Sequence, residues 1–91
     1  MKTFNDLKFK DHSMGGVYST MMFDNGYGVS VVKTPHSYGG SRGMYELAVL
    51  GPDGDLTYDT PVTNDVLGYL SENEVTNAMI EVQKILTFKL K

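Results

Sequence analysis

Tyr27, His36, Tyr38 and Arg42 are the side chains best suited to grip a ligand. Arginine presents a planar fork of N–H donors that fits a carboxylate or phosphate, and a tyrosine ring stacks while keeping a polar tip. His36, Tyr38 and Arg42 lie in one link, KTPHSYGGSRG at 33–43, with Tyr27 expected beside it. The composition points to an anionic or aromatic ligand, or to a protein surface. The competing reading is that a lone histidine and a lone arginine on a loop are simply solvated.

Other chemistry lacks support. No serine is accompanied by a base and an orienting acid, as nucleophilic catalysis requires. Gly26-Tyr27-Gly28 and Gly39-Gly40-Ser41-Arg42-Gly43 precede no predicted helix, so their amides have no helix N-terminus with which to cradle phosphate. Asp53-Gly54-Asp55-Leu56 resembles the start of a calcium loop but has no glutamate at the twelfth place. The chain contains no cysteine. A non-enzymatic protein without metal or cofactor is expected. Asp53, Asp55, Asp59, Asp65, Glu72 and Glu74 give the second half an acidic bias. They either meet a basic partner or serve as turn and helix-start residues, where negative charge is favoured.

The elements that must position these residues are legible in outline. Asn25-Gly26 is the pair that favours a two-residue type I′ hairpin turn. That turn sets Asp24 against Tyr27, Phe23 against Gly28, Met22 against Val29, Thr20 against Val31 and Ser19 against Val32. Phe23 would then cover Gly28, with Met22, Val29 and Val31 on one face and Met21, Phe23 and Val32 on the other. Met44 to Leu50 and Asp55 to Asp59 form a second hairpin around Gly51-Pro52-Asp53-Gly54. A four-residue loop there faces Val49 with Leu56 and Leu47 with Tyr58. A three-residue loop would set Leu47 against Asp59 instead.

Leu7 and Phe9 alternate with lysines as in a short, charge-protected edge strand. VLGYL, weakened by Gly68, reads as one or two helical turns. Ser71 and Glu74 make a capping box, with Leu70 and Val75 placed as a hydrophobic staple. Val75, Ala78, Met79, Val82, Ile85 and Leu86 follow at helical spacing as one apolar stripe. The tail 87–91 alternates Phe88 and Leu90 with lysines. The predicted fold is a single α+β domain over 1–91: an antiparallel sheet of about four strands in two hairpins, with a C-terminal helix packed on one face. The 33–43 link, twice the usual length, is either functional or mobile, and its composition offers little to a core.

At 91 residues a domain buries only about 60 per cent of the surface its unfolded chain exposes, so its stability margin is thin and a homodimer is a reasonable supplement. The first residues lack the apolar run of a signal peptide, and no later run approaches membrane-spanning length. A cytoplasmic protein is expected. The net charge of −3 argues against nucleic-acid binding, which needs a basic stripe.

FDNGYGVSVV at 23–32, YELAVL at 45–50 and LTYDTPVTNDVLGYLSENEV at 56–75 together resemble a group of small uncharacterised proteins carried by tailed bacteriophages. The resemblance spans most of the chain. It implies a phage accessory protein made in an infected bacterium, a kind that often binds a host protein and inhibits a metabolic or defence component. It carries no functional residues with it. The alternative is a small-molecule or nucleotide binder using Tyr27, His36, Tyr38 and Arg42.

Overall fold

A computed structural model of the chain describes residues 1–63 and 65–86; the tail 87–91 lies outside the described residues. The fold is α+β. Five antiparallel strands, β1 (Lys10–Asp11), β2 (Val17–Met22), β3 (Gly28–Lys33), β4 (Tyr45–Leu50) and β5 (Leu67–Leu70), lie in the sheet in chain order, and helix α1 (Glu72–Gln83) packs on one face.

The β2–β3 register differs by one residue from the type I′ expectation: Met21 opposes Val29, Ser19 opposes Val31 and Tyr18 opposes Val32. The reason is a three-residue loop. The Gly26 N–H donates to the Phe23 carbonyl (3.0 Å), the Phe23 N–H donates to the Tyr27 carbonyl (2.7 Å), and Gly26 alone takes the left-handed conformation (φ 91°). This is a turn closed by a glycine bulge, and one extra loop residue moves a whole strand's side chains to the other face. Phe23, Val29 and Val31 therefore share the core face, with Met21 packed against them. Met22, not Phe23, lies over Gly28, where a Cβ would strike the methionine sulfur.

The 51–55 turn is built the same way. The Gly51 N–H donates to the Asp55 carbonyl (2.8 Å), the Gly54 N–H donates to the Gly51 carbonyl (2.8 Å), and Gly54 has φ 83°. In both turns an Asx side chain one residue before the glycine accepts from the N–H two residues on: Asn25 from Tyr27 (3.1 Å) and Asp53 from Asp55 (3.0 Å). The three-residue loop thus replaces the four-residue expectation, and Leu56, not Asp55, stands across from Leu50. The strand expected over 55–59 is cut short. After the Thr57 N–H bonds to the Val49 carbonyl (2.9 Å), the chain leaves the sheet and returns at Leu67, opposite Leu47. VLGYL is therefore an edge strand, not a helical turn. It pairs with the side of β4 on which Asp55 to Asp59 was expected, Leu70 opposite Tyr45 and Leu67 opposite Leu47.

Helix α1 begins as expected. The Glu74 N–H donates to Ser71 Oγ (3.1 Å) and the Ser71 N–H donates to Glu74 Oε1 (2.9 Å). Val75, Ala78, Met79 and Val82 are buried against Val29, Val31, Leu47 and Val49. Removing each of Val75, Met79 and Val82 from water stabilises by about 1.5–3 kcal/mol. The stripe stops at Ile85, because Lys84 caps the helix and Leu86 stands 76% exposed. The first residues complete this layer. Phe4, Leu7 and Phe9 join the core, the Phe4 ring meets Tyr45 edge-on at 5.1 Å, and the Phe4 N–H donates to Thr76 Oγ1 (3.0 Å). A 3-10 turn over Phe4–Asp6 aims them. The Thr3 backbone N–H donating to the Asp6 carboxylate holds that group below the ordinary aspartate range.

Asn25 joins the two layers. Its Nδ2 donates to the carbonyls of Val82 (2.9 Å), in the last turn of α1, and Ile85 (3.0 Å), just past the Lys84 cap, where carbonyls lack the N–H four residues on that a helix interior supplies. Asn25→Ala is expected to cost about 1.5–3 kcal/mol, since it removes these bonds and the one from Tyr27 together. Asn25→Asp retains an acceptor for Tyr27 but sets a carboxylate against the negative end of the helix dipole, so at neutral pH it is expected to be the less stable of the two. Urea melts of both variants measure the order.

Candidate functional site

The four candidate side chains do not converge. Tyr27 closes the turn before β3, whereas His36, Tyr38 and Arg42 follow β3 at the opposite end of the sheet. Six strand residues separate the two ends by about 20 Å. Tyr27 is half-buried and packs against the core; His36, Tyr38 and Arg42 are exposed.

The 33–43 link is built, not loose. The Thr34 Oγ1 accepts from the N–H groups of His36 (3.2 Å) and Ser37 (3.1 Å), while Ser37 Oγ donates to the Thr34 carbonyl (3.0 Å) and accepts from its N–H (2.9 Å). A side chain and a backbone thus close the turn reciprocally, as serine and threonine do where they replace a backbone partner. Thr34 itself is buried. A 3-10 turn over Gly40–Arg42 follows, and the Gly39 carbonyl accepts from both Arg42 (2.9 Å) and Met44 (3.0 Å). Because β3 and β4 are neighbours, the link is no crossover.

The link has a second role that its composition does not suggest: it holds β5. The Tyr69 N–H donates to the Tyr38 carbonyl (3.2 Å), and the Tyr38 N–H donates to Glu46 Oε1 (2.7 Å). Two glycines permit the approach. A Cβ on Gly68 would strike Tyr38 Cβ, and one on Gly39 would press on the Tyr69 backbone and ring. The expectation that the link adds little to the fold therefore gives way, since its backbone is a partner of the edge strand.

The result is a pair of displayed aromatic rings. Tyr38 is 60% exposed and Tyr69 53% exposed, on segments joined by a hydrogen bond, with Arg42 exposed on the same link. Tyr69 is also the non-glycine residue with positive φ (58°) among those described. A side chain in that region costs about 1–2 kcal/mol, and strain of this kind persists only where the surroundings impose it. Reading VLGYL as helical hid Tyr69. The available signal was Leu47-Ala48-Val49-Leu50: a strand apolar on both faces is central, so it needs a further strand at its free side.

The acidic residues are largely absorbed locally. Asp53 serves its turn, Asp65 Oδ1 accepts from the Val66 N–H (2.8 Å), Glu74 closes the capping box, and Glu72 lies in the first helical turn. Among the described residues no three His, Asp or Glu side chains are grouped as metal ligands would be. A groove of about 640 Å³ lies away from His36, Tyr38 and Arg42. It runs between the Asp24–Gly26 turn, Pro52 and the end of α1 at Gln83 to Leu86.

Two outcomes check this geometry. Tyr69→Gly and Tyr69→Ala both delete the ring, but only glycine accepts φ 58° without cost, so the glycine variant is expected to be more stable by about 1 kcal/mol in urea melts. Replacing 34–43 with Asn-Gly is expected to destabilise the domain, since β5 loses its backbone partner at Tyr38. Hydrogen exchange should report that loss first at Tyr69.

No family model matches this chain, and neither the curated proteins nor the solved structures include a match to it.

Proposed function

We propose that the protein is a non-enzymatic binding module that engages another protein through the Tyr38–Tyr69 platform, flanked by His36 and Arg42. The observation that carries this reading is the exposure of two tyrosines, Tyr38 on an ordered link and Tyr69 on strained backbone of the edge strand bonded to it. Tyrosine and arginine dominate the energetics of protein interfaces, because they offer large contact areas with few rotatable bonds or a planar set of donors. An ordered platform also loses little entropy when bound. The phage-like sequence words supply the setting: an accessory protein in the cytoplasm of an infected bacterium, whose partner is a host protein of metabolism or defence.

A homodimer through the helix-free face of the sheet belongs to the same proposal. Its motive is Met22, 46% exposed, with Leu56 and the partly covered Tyr18 and Val32. The register narrows that motive, since Phe23, Val29 and Val31 all turn to the helix side. The alternative, a small-ligand or nucleotide site, would use His36, Tyr38 and Arg42 without Tyr27, and the 640 Å³ groove is lined by other residues.

The test is capture from bacterial lysate with the chain and with Tyr38→Ala, Tyr69→Gly and Arg42→Ala. The reading expects one host protein retained by the parent and lost with Tyr69→Gly, although that variant keeps its fold. Retention by all three variants would remove the platform from consideration. A rise in melting temperature with nucleotides, in the absence of any captured protein, would favour the ligand reading.

A further inference from the structure

We propose that Asn25 is a site of covalent self-modification: it is poised to deamidate, and its reaction is gated by the contact between the 23–27 turn and the end of α1. The inference is independent of the binding role above.

The chemistry needs only water. The Gly26 nitrogen, once deprotonated, attacks Asn25 Cγ. The N–Cγ bond forms, the Cγ–Nδ2 bond breaks, and ammonia leaves a five-membered succinimide. Water then opens either carbonyl of that ring, giving aspartate or, when the chain comes to run through the side-chain carbon, isoaspartate. Glycine after asparagine offers the least obstruction to the attack, because it has no Cβ and reaches backbone angles closed to other residues. Asn5 and Asn64 are followed by aspartate, Asn73 by glutamate and Asn77 by alanine, and they lack that advantage.

In the folded chain each group that must move is engaged. The Gly26 N–H donates to the Phe23 carbonyl (3.0 Å), Asn25 Nδ2 donates to the Val82 and Ile85 carbonyls, and Asn25 Oδ1 accepts from the Tyr27 N–H. The attacking nitrogen is held by its proton, and the leaving group is held by the helix. Reaction therefore proceeds from molecules in which the turn has opened away from the helix end, a local opening short of global unfolding. Closure after reaction is impaired. Aspartate has lost both donors and brings negative charge to the helix C-terminus, and isoaspartate adds a backbone carbon to a loop whose three-residue length sets the sheet register. The same asparagine that locks the fold is thus its chemical point of ageing, and each reacted molecule is trapped in a loosened state.

The test uses the full chain in warm, mildly alkaline buffer, with peptide mapping by mass spectrometry to follow conversion at Asn25. Conversion is expected to be several-fold slower in the native chain than in urea, and faster in Val82→Ala, which loosens the helix end without touching the reacting groups. Hydrogen exchange at the Gly26 amide provides a second measure of opening should Val82→Ala fail to fold, and native conversion should rise with it as sub-denaturing urea is added. Chain reacted in urea and then refolded should melt about 5–15 °C below unreacted chain taken through the same cycle. Equal rates in native and urea conditions, conversion that does not follow the opening of Gly26, faster reaction at another asparagine, or a reacted chain with unchanged melting temperature would each overturn the proposal.

Discussion

The two layers of this domain meet through hydrophobic burial, but their relative placement depends on the polar contact at Asn25. Its side-chain oxygen shapes the 23–27 turn, and its nitrogen bonds carbonyls at the end of α1. The turn fixes the β2–β3 register, the register puts Phe23, Val29 and Val31 on one face, and that face is what α1 covers. The other end of α1 is set by Ser71 and Glu74 immediately after β5. A helix fixed at both ends to the sheet it covers needs little else to choose its position, which suits a chain without disulfides and with a small core.

The edge beside β4 shows a different economy. A single strand would have extended from Leu56 onward, but the chain pairs at Leu56 and Thr57, leaves, and returns to pair again at Leu67. The second half is bent at Tyr69 and held by the backbone of the 33–43 link. An edge broken in this way offers a poor template for strand addition by other chains. The same bend leaves Tyr69 exposed on a strand whose backbone is bonded to that of Tyr38, itself exposed.

The two ends of the sheet thus differ in kind. At one, the turns around Asn25 and Asp53 share one design, and polar side chains are used internally. At the other, Thr34 and Ser37 hold the link through their own side chains and backbone, and His36, Tyr38 and Arg42 stand exposed, with Tyr38 Cβ against Gly68. Residues exposed on rigid backbone and unused by the fold are where recognition is most economical.

Local chemistry was legible from the sequence. The capping box at Ser71, the helical stripe through Val82, the turn-forming glycines and the α+β class all follow from interactions between residues close in the chain. The candidate site was legible in part: His36, Tyr38 and Arg42 share a link because they are near in sequence, whereas Tyr69 joins Tyr38 only across the sheet. Tertiary structure decided what depends on partners far along the chain. Asn25-Gly26 suits a two-residue turn locally, but the three-residue form brings the asparagine amide to the helix carbonyls and three apolar side chains to the helix face. LGYL is weak as either helix or strand by itself, and it becomes a strand because β4, apolar on both faces, requires a neighbour. In each case the local preference is about 1 kcal/mol or less, and the burial and hydrogen bonds gained across the fold are larger.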